Sequence, residues 1–342
     1  MFGFVSTEYD KKVYREELFD FLPSKIIDIH VHVWEKGTRL KNNEEKKGAV
    51  GWVDRVGDSL TYEDMQATFY EMFPGKKVGA VLFGMPTYDL DTVNAYAKKC
   101  IQEHGNPGLW CTSYNSSEEE ITEALKSGFC GIKPYLSNCP PEIVPSDITI
   151  YDFLPKEHLE LMNRTGGVVM LHIPRALRLR DPVNLKQMME IDENYPNAKV
   201  IIAHIGRAYI ESDIGNAFEI LKRSKNLLFD FTANTYAKAI YKCIETVGAD
   251  RLMFGSDLPI TKMRMYRTEE NGHYVNVVPR GLYGDVKGDK NMRETADYSN
   301  MTHFMYEELR GFKSAAEQVG LGRSDIEKIM YTNASRLFKY EI

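Results

Sequence analysis

Short apolar, β-branched runs recur along nearly the whole chain, at 26–33, 78–85, 109–114, 130–136, 167–172, 199–205, 227–232 and 251–257. Most are apolar at consecutive rather than alternate positions, so neither face is written for water, and strands of that kind are usually parallel and covered by helices. The segments between them supply those helices, at 62–72, 91–103, 118–126, 155–164, 182–194, 211–224 and 237–247. Ser116 or Ser117 before three glutamates fits a helix N-cap, and Asp181 before Pro182 joins a cap to a proline in the first turn. Eight strands alternating with helices allow a closed (β/α)8 TIM barrel or an open doubly wound sheet. Two stretches break the alternation, 35–59 after the first strand and 258–300 after the last. Loops of that length in a compact domain are usually functional or disordered. The second contains GHYVNVVPRGLYGD, whose aromatic and aliphatic residues predict a packed segment and leave open a contact within a homodimer or higher homo-oligomer. No repeat or linker marks a second domain, so 1–342 reads as one domain with its barrel core at 25–340.

The polar residues that close the apolar runs decide between the two sheets. His30 and His32 in IIDIHVHVW are two apart, which puts both side chains on one face of a strand, where they can reach one ion. His172 closes VVMLH, His204 closes VIIAH and Asp257 closes LMFGSD. Each alone reads as well as a hydrogen-bonded core group. Together they come from strands one, five, six and eight, and they meet at one mouth only if the sheet closes; in a TIM barrel the C-terminal mouth carries the active site. A barrel is therefore expected. Asp28, one layer deeper, is expected to buttress a neighbour, and His104, His158, His273 and His303 to be structural or solvent-facing.

Composition narrows the partners. The formal net charge is -6 with no long basic run, which argues against a nucleic-acid surface and leaves a small molecule as the partner. Five scattered cysteines without a CxxC pair read as reduced thiols. The charged N-terminal segment and the absence of a bilayer-length apolar run predict no membrane association and a cytoplasmic protein.

DIHVH, the histidine-ended fifth strand, HIGR and GSDLP resemble the amidohydrolase superfamily, specifically its amidohydrolase-2 branch, which includes decarboxylases similar to aminocarboxymuconate-semialdehyde decarboxylase and several lactonases. The resemblance runs from Ile26 to the closing NASRLF segment ending at Phe338. It implies that His30, His32, His172 and Asp257 ligate one divalent ion, with His204 beside it as the acid or base. Where that branch often shows HxGG, this chain has His204-Ile205-Gly206-Arg207. In binuclear members of the superfamily a carboxylated lysine at the position of Lys133 bridges two ions; a substrate-facing cation is the favoured reading here.

Three imidazoles and a carboxylate would leave a bound ion net positive, able to bring the pKa of water towards neutrality. Zinc suits an imidazole-rich shell, and manganese or iron also fits. His204, if uncoordinated, has a side chain suited to proton transfer, and Asp257 can share the proton taken from water; the alternative is that His204 completes the ligand shell. Arg175, Arg178 and Arg180 follow the fifth strand and Arg207 the sixth. Guanidinium forks match carboxylates, so an anionic substrate is expected, with Arg175 and Arg207 nearest the strand ends and Trp34 as a candidate pocket floor. The leading expectation is hydrolysis of a lactone, ester or amide bond. Non-oxidative decarboxylation with the same mononuclear site is the alternative, and a catalytically silent ligand-binding barrel is the reading from another class.

Overall fold

The structure, a computed structural model, describes residues 5–38 and 56–342. Eight parallel strands carry the fold: β1 (Lys25–His32), β2 (Lys77–Phe83), β3 (Leu109–Thr112), β4 (Gly131–Pro134), β5 (Val168–Leu171), β6 (Lys199–Ile202), β7 (Leu228–Asp230) and β8 (Leu252–Met253). β1 pairs with β2, and β3 to β8 pair in succession. Two seams join these sheets. Leu82 bridges to Gly108, with Leu82 N donating to Pro107 O at 2.9 Å. On the other side Ile29 N donates to Phe254 O at 3.1 Å, Asp257 N to His30 O at 2.8 Å and His32 N to Leu258 O at 3.1 Å. The sheet closes as a (β/α)8 barrel, and the open doubly wound alternative is excluded.

Closure gives each strand two apolar faces. Inward residues such as Ile27, Val81, Leu109, Met170, Ile201 and Met253 form one buried cluster. Outward residues such as Ile26, Leu82, Val169 and Ile202 pack against helix residues including Phe69, Met188 and Ile240 in a second. This double burial is why the strands read as continuous apolar runs. Ala334 and Phe338 join the inner cluster, and Asn333 Nδ2 donates to Leu252 O at 2.9 Å, so helix Asn333–Phe338 plugs the end of the barrel where the strands begin. The other end stays available for polar groups.

Helices Tyr62–Met72, Glu118–Lys126, Pro182–Asn194 and Ala237–Val247 lie where the pattern predicts them. Ser117 rather than Ser116 is the N-cap, its Oγ accepting from Glu120 N at 3.2 Å, and Asp181 Oδ1 accepts from Val183 N at 2.9 Å. The helix expected at 211–224 is a correction. It splits into a short turn, Glu211–Asp213, and helix Ala217–Leu221. Asp213 is held by the Tyr209 and Ile210 amides and by Arg178, and Gly215 between the two pieces has φ +51°, which an α-helix does not accept. Strands β5, β6 and β8 stop before His172, His204 and Asp257, so these polar residues lie past the ends of the ladder.

The long segment after β8 is packed, as its composition predicts. It forms β9 (Tyr266–Glu270), β10 (His273–Pro279) and β11 (Met292–Thr295), with β10 central, antiparallel to β9 and parallel to β11. Met263, Val278, Tyr283 and Met292 share a core with Ala233 and Phe304 of the barrel top. Its base is tied to the N-terminal segment by a buried ion pair, Arg264 Nη2 to Asp10 Oδ2 at 2.5 Å. Of the stretch expected as a loop after β1, residues 39–55 lie outside the described residues. No helix among the described residues is long and apolar enough to cross a membrane.

Candidate active site

His30 and His32 lie at the C-terminal end of β1, where the register against β2 shifts between Asp28 and Val31. Such irregularities re-aim side chains near functional sites. The two rings end 5.5 Å apart. Asp257 follows β8 with φ +66° and reaches them from across the seam: its Oδ1 stands 3.1 Å from His32 Nε2 and 3.7 Å from His30 Nε2. One ligand atom from each of His30, His32 and Asp257 lies within 4.8 Å of the others.

Proton positions follow from the outer partners. His32 Nδ1 lies 3.1 Å from Gly84 O, which can only accept, so Nδ1 carries the hydrogen. His30 Nδ1 donates likewise to Asp230 Oδ2 at 3.1 Å. In the neutral rings both Nε2 atoms then present lone pairs to a carboxylate oxygen. Acceptors facing one another at this distance are stable only around a shared cation or an added proton. Burial, and then the neighbouring Lys133 ammonium, hold the His30 ring well below its ordinary pKa, which disfavours the added proton there. The donor set therefore fits a divalent cation, with Asp230 and Gly84 O orienting the imidazoles.

His204 opens a turn in which four consecutive residues, His204, Ile205, Gly206 and Arg207, have φ between +48° and +62°. For a β-branched residue such as Ile205 this is a strained conformation. The surroundings hold it in place: His204 N donates to Asp230 Oδ1 at 2.6 Å, Asn234 Nδ2 to Ala208 O at 3.0 Å, and Arg207 Nη1 reaches Ile173 O at 3.4 Å and Pro174 O at 3.3 Å. His204 Nδ1 donates to Thr232 O at 2.9 Å, leaving Nε2 as the free lone pair. Its ring lies 5.1 Å from that of His30 and 5.3 Å from that of His172. Burial lowers its pKa against the opposing pull of Asp257 and Asp230. A buried neutral imidazole with one lone pair facing the site is equipped to accept a proton.

His172 stands beyond His204, outside the close group of His30, His32 and Asp257, and its buried Nδ1 has no hydrogen-bond partner among the described residues. Burial and then Arg207 keep it uncharged. Tyr135, at the end of β4, lies 5.2 Å from it. Lys133 is fully buried with its Nζ 5.4 Å above the Phe83 ring, and among the described residues that ammonium makes no hydrogen bond or ion pair. Burial brings its pKa down to about 8 against the pull of Asp257 and Asp230.

The remaining expected residues separate by their partners. Arg175 pairs with Asp181 at 3.2 Å, and Arg178 Nη1 donates to both Asp213 carboxylate oxygens at 2.8 and 2.9 Å. Among the described residues Arg207 hydrogen-bonds only backbone carbonyls, and it lies close enough to His172 and Tyr135 to influence both electrostatically. Trp34 is fully buried in the outer core, its Nε1 donating to Asp58 O at 3.2 Å. Asp28 buttresses as expected, its Oδ1 accepting from His30 N at 3.1 Å and Ser256 N at 2.8 Å.

Sequence reasoning missed Asp230, which orients His30 and accepts from the His204 amide. Asp230 closes the apolar run LLFD in the same manner as the recognised strand ends, so its signal was present.

The barrel resembles those of solved proteins at low identity. A probable 2-pyrone-4,6-dicarboxylic acid hydrolase from Acinetobacter baumannii, with citric acid bound, is 16% identical with TM-score 0.58, covering 92% of this chain and 99% of its own. A 2,6-dihydroxybenzoate decarboxylase from Rhizobium is 12% identical with TM-score 0.55, covering 93% and 99%. An amidohydrolase from Burkholderia multivorans is 10% identical with TM-score 0.60, covering 92% and 99%. No curated protein matches the sequence. The amidohydrolase-2 family model, described as Amidohydrolase, matches residues 27–340, nearly the whole barrel, and the chain belongs to that family.

Proposed function

We propose that this barrel mouth is the active site of a metal-dependent hydrolase that cleaves a lactone, ester or amide bond in a small anionic molecule. The observation that carries this reading is the inward-facing donor set of His30, His32 and Asp257, whose imidazoles are each oriented by an outer acceptor. A divalent ion held there, with His172 as the expected further ligand, supplies Lewis acidity that polarises a substrate oxygen and activates water. Zinc is the favoured ion on ligand chemistry, and manganese or iron fits the same donors.

The protein's own groups complete the chemistry. Asp257 accepts a proton released beside it, and His204 Nε2, fixed as a lone pair by the Thr232 carbonyl, takes up a proton and delivers it to the leaving group. Arg207 and Lys133, neither paired with a carboxylate among the described residues, hold the anionic end of the substrate. Near-complete burial of His30 and His204 limits competing water.

A second reading has a specific basis. Lys133 and Arg207 could hold a carboxylate while His204 protonates the carbon from which carbon dioxide leaves, and a 2,6-dihydroxybenzoate decarboxylase has this fold. The deciding experiment offers the metal-loaded protein a panel of lactones and of hydroxybenzoates. Acid release from a lactone supports the hydrolase, carbon dioxide release supports the decarboxylase, and His204→Asn abolishes whichever occurs. Turnover of a lactone at an undiminished rate in His204→Asn would refute the assignment.

A further inference from the structure

The hairpin of β9 and β10 leaves one edge of the three-stranded sheet without a neighbour among the described residues. Asn271 and Gly272 join the strands with φ +51° and +73°, the left-handed pair of a two-residue turn, so the flanking Glu270 and His273 are hydrogen-bonded partners. Pairing alternates from there: Thr268 bonds with Val275 and Tyr266 with Val277, whereas Glu269 and Arg267 face Tyr274 and Asn276 without main-chain bonds. The other side of β10 agrees with this phase, since Asn276 N donates away from β9, to Asn291 O at 2.8 Å. The N–H and C=O groups of Arg267 and Glu269 therefore point out of the sheet edge, and among the described residues no group bonds to them. Met265 N is taken by Thr302 O at 3.3 Å, which sets one limit of the free edge. A row of unpaired main-chain groups is a template for another strand, and β9 has no proline, lysine or bulge to guard it.

The charges along this edge select its partner. In antiparallel pairing an outward-bonding residue must face another outward-bonding residue, which leaves three registers for two copies of β9. Arg267 opposite Arg267 sets two cations together, and Glu269 opposite Glu269 sets two anions together. The third register puts each Arg267 opposite the other copy's Glu269, with Thr268 facing Thr268 on the two-fold axis and Tyr266 facing Glu270. It uses every outward group of both residues, and it places unlike charges and a β-branched pair across the strands. Tyr266, 42% exposed at the end of the edge, gains a partner surface there. We propose that β9 pairs antiparallel with β9 of a second copy of this chain about a two-fold axis at Thr268, joining the two small sheets into one. A two-fold contact closes on itself, so the assembly stops at a dimer. Five residues make a small contact, and a dimer that dissociates in the micromolar range is expected. The segment after β8 thereby acquires a role independent of the chemistry at the mouth.

Sedimentation velocity on the full chain, from about 1 to about 100 μM, tests this pairing. The wild type should pass from monomer to a species of twice the chain mass. Glu269→Pro removes an outward N–H and leaves the bonds to β10 in place, and it should move the midpoint of association to at least about tenfold higher concentration. Should that variant not fold, Glu269→Arg, which sets arginines opposite one another, should weaken association in the same direction. Thr268→Cys should give a disulfide-linked dimer under mild oxidation, because partners that are not hydrogen-bonded across antiparallel strands lie within disulfide reach. The wild type, with its own five cysteines, should not cross-link under the same conditions. A wild type that stays monomeric over the whole range, or a dimer that the folded Glu269 variants leave unchanged, overturns the proposal. A dimer in which Thr268→Cys fails to cross-link lies on another face and overturns it equally.

Discussion

His32 Nε2 and Asp257 Oδ1 stand 3.1 Å apart although 225 residues separate them in the chain. His32 commits its other nitrogen to Gly84 O, so the contact sets a lone pair against a carboxylate oxygen. That geometry is poor as a hydrogen bond between neutral imidazole and carboxylate, and well suited to two ligands of one ion.

Removing either partner should therefore remove the metal. His32→Ala and Asp257→Asn are expected to purify with little bound divalent ion, as measured by elemental analysis, where the wild type holds about one per chain. Chelation of the wild type should lower Tm by about 5 °C if the ion is present at a hundred times its Kd, from the linkage of binding to folding. Full metal occupancy in both variants would discredit the ligand assignment.

His204→Asn separates proton transfer from ligation. Asparagine tolerates the positive φ of this position and lacks a titratable nitrogen. The expected loss is about 10²- to 10⁴-fold in kcat with metal content unchanged, the range for removal of a general acid or base. Loss of the metal in this variant would move His204 into the ligand shell.

Gly255 reports how packing holds the first histidine. A Cβ there would lie 2.4 Å from Thr232 Oγ1 and 2.7 Å from His30 Cβ. Gly255→Ala is expected to cost about 1–3 kcal/mol of stability in urea melts, the usual penalty for overpacking, and to weaken metal binding by displacing His30. Gly288→Ala, where a Cβ would meet no atom within 4 Å, serves as the control and should fall within about 0.5 kcal/mol of wild type.

Glu308 predicts a pH dependence. It is fully buried, and burial, followed by the charges of Asp28 and Asp230, holds its pKa well above the ordinary carboxyl value. The folded state therefore binds its proton more tightly than the unfolded state does. The stability this contributes is complete below the unfolded pKa of about 4.3 and is lost as pH rises towards the folded value. Glu308→Gln should flatten this loss, raising Tm above wild type at pH 8 and changing it least at pH 4. An equal shift at both pH values would show that Glu308 does not titrate in this way.

Much of the barrel was legible because a parallel strand buried on both faces has an unmistakable composition, and because helix caps such as Ser117 and Asp181 act within four residues of sequence. The same locality explains the miss at 211–224, where Arg178, 35 residues away, engages Asp213 and a left-handed Gly215 interrupts an otherwise helical pattern. His30, His32, His172, His204 and Asp257 could be singled out because each is a polar group at or near the end of an apolar run, costly there unless partnered.

Chain order alone thus determined the eight βα units, the polar strand ends and the family they resemble, since periodicity and local residue chemistry are properties of neighbours. Which of those ends meet was decided by closure between β8 and β1, which brings Asp257 to His32 and leaves His172 further off. The pairing of charges was likewise a tertiary outcome: Asp181 and Asp213 neutralise Arg175 and Arg178, while among the described residues no carboxylate pairs with Arg207. An ion pair depends on distance in space, and the spacing of residues along the chain does not encode that distance.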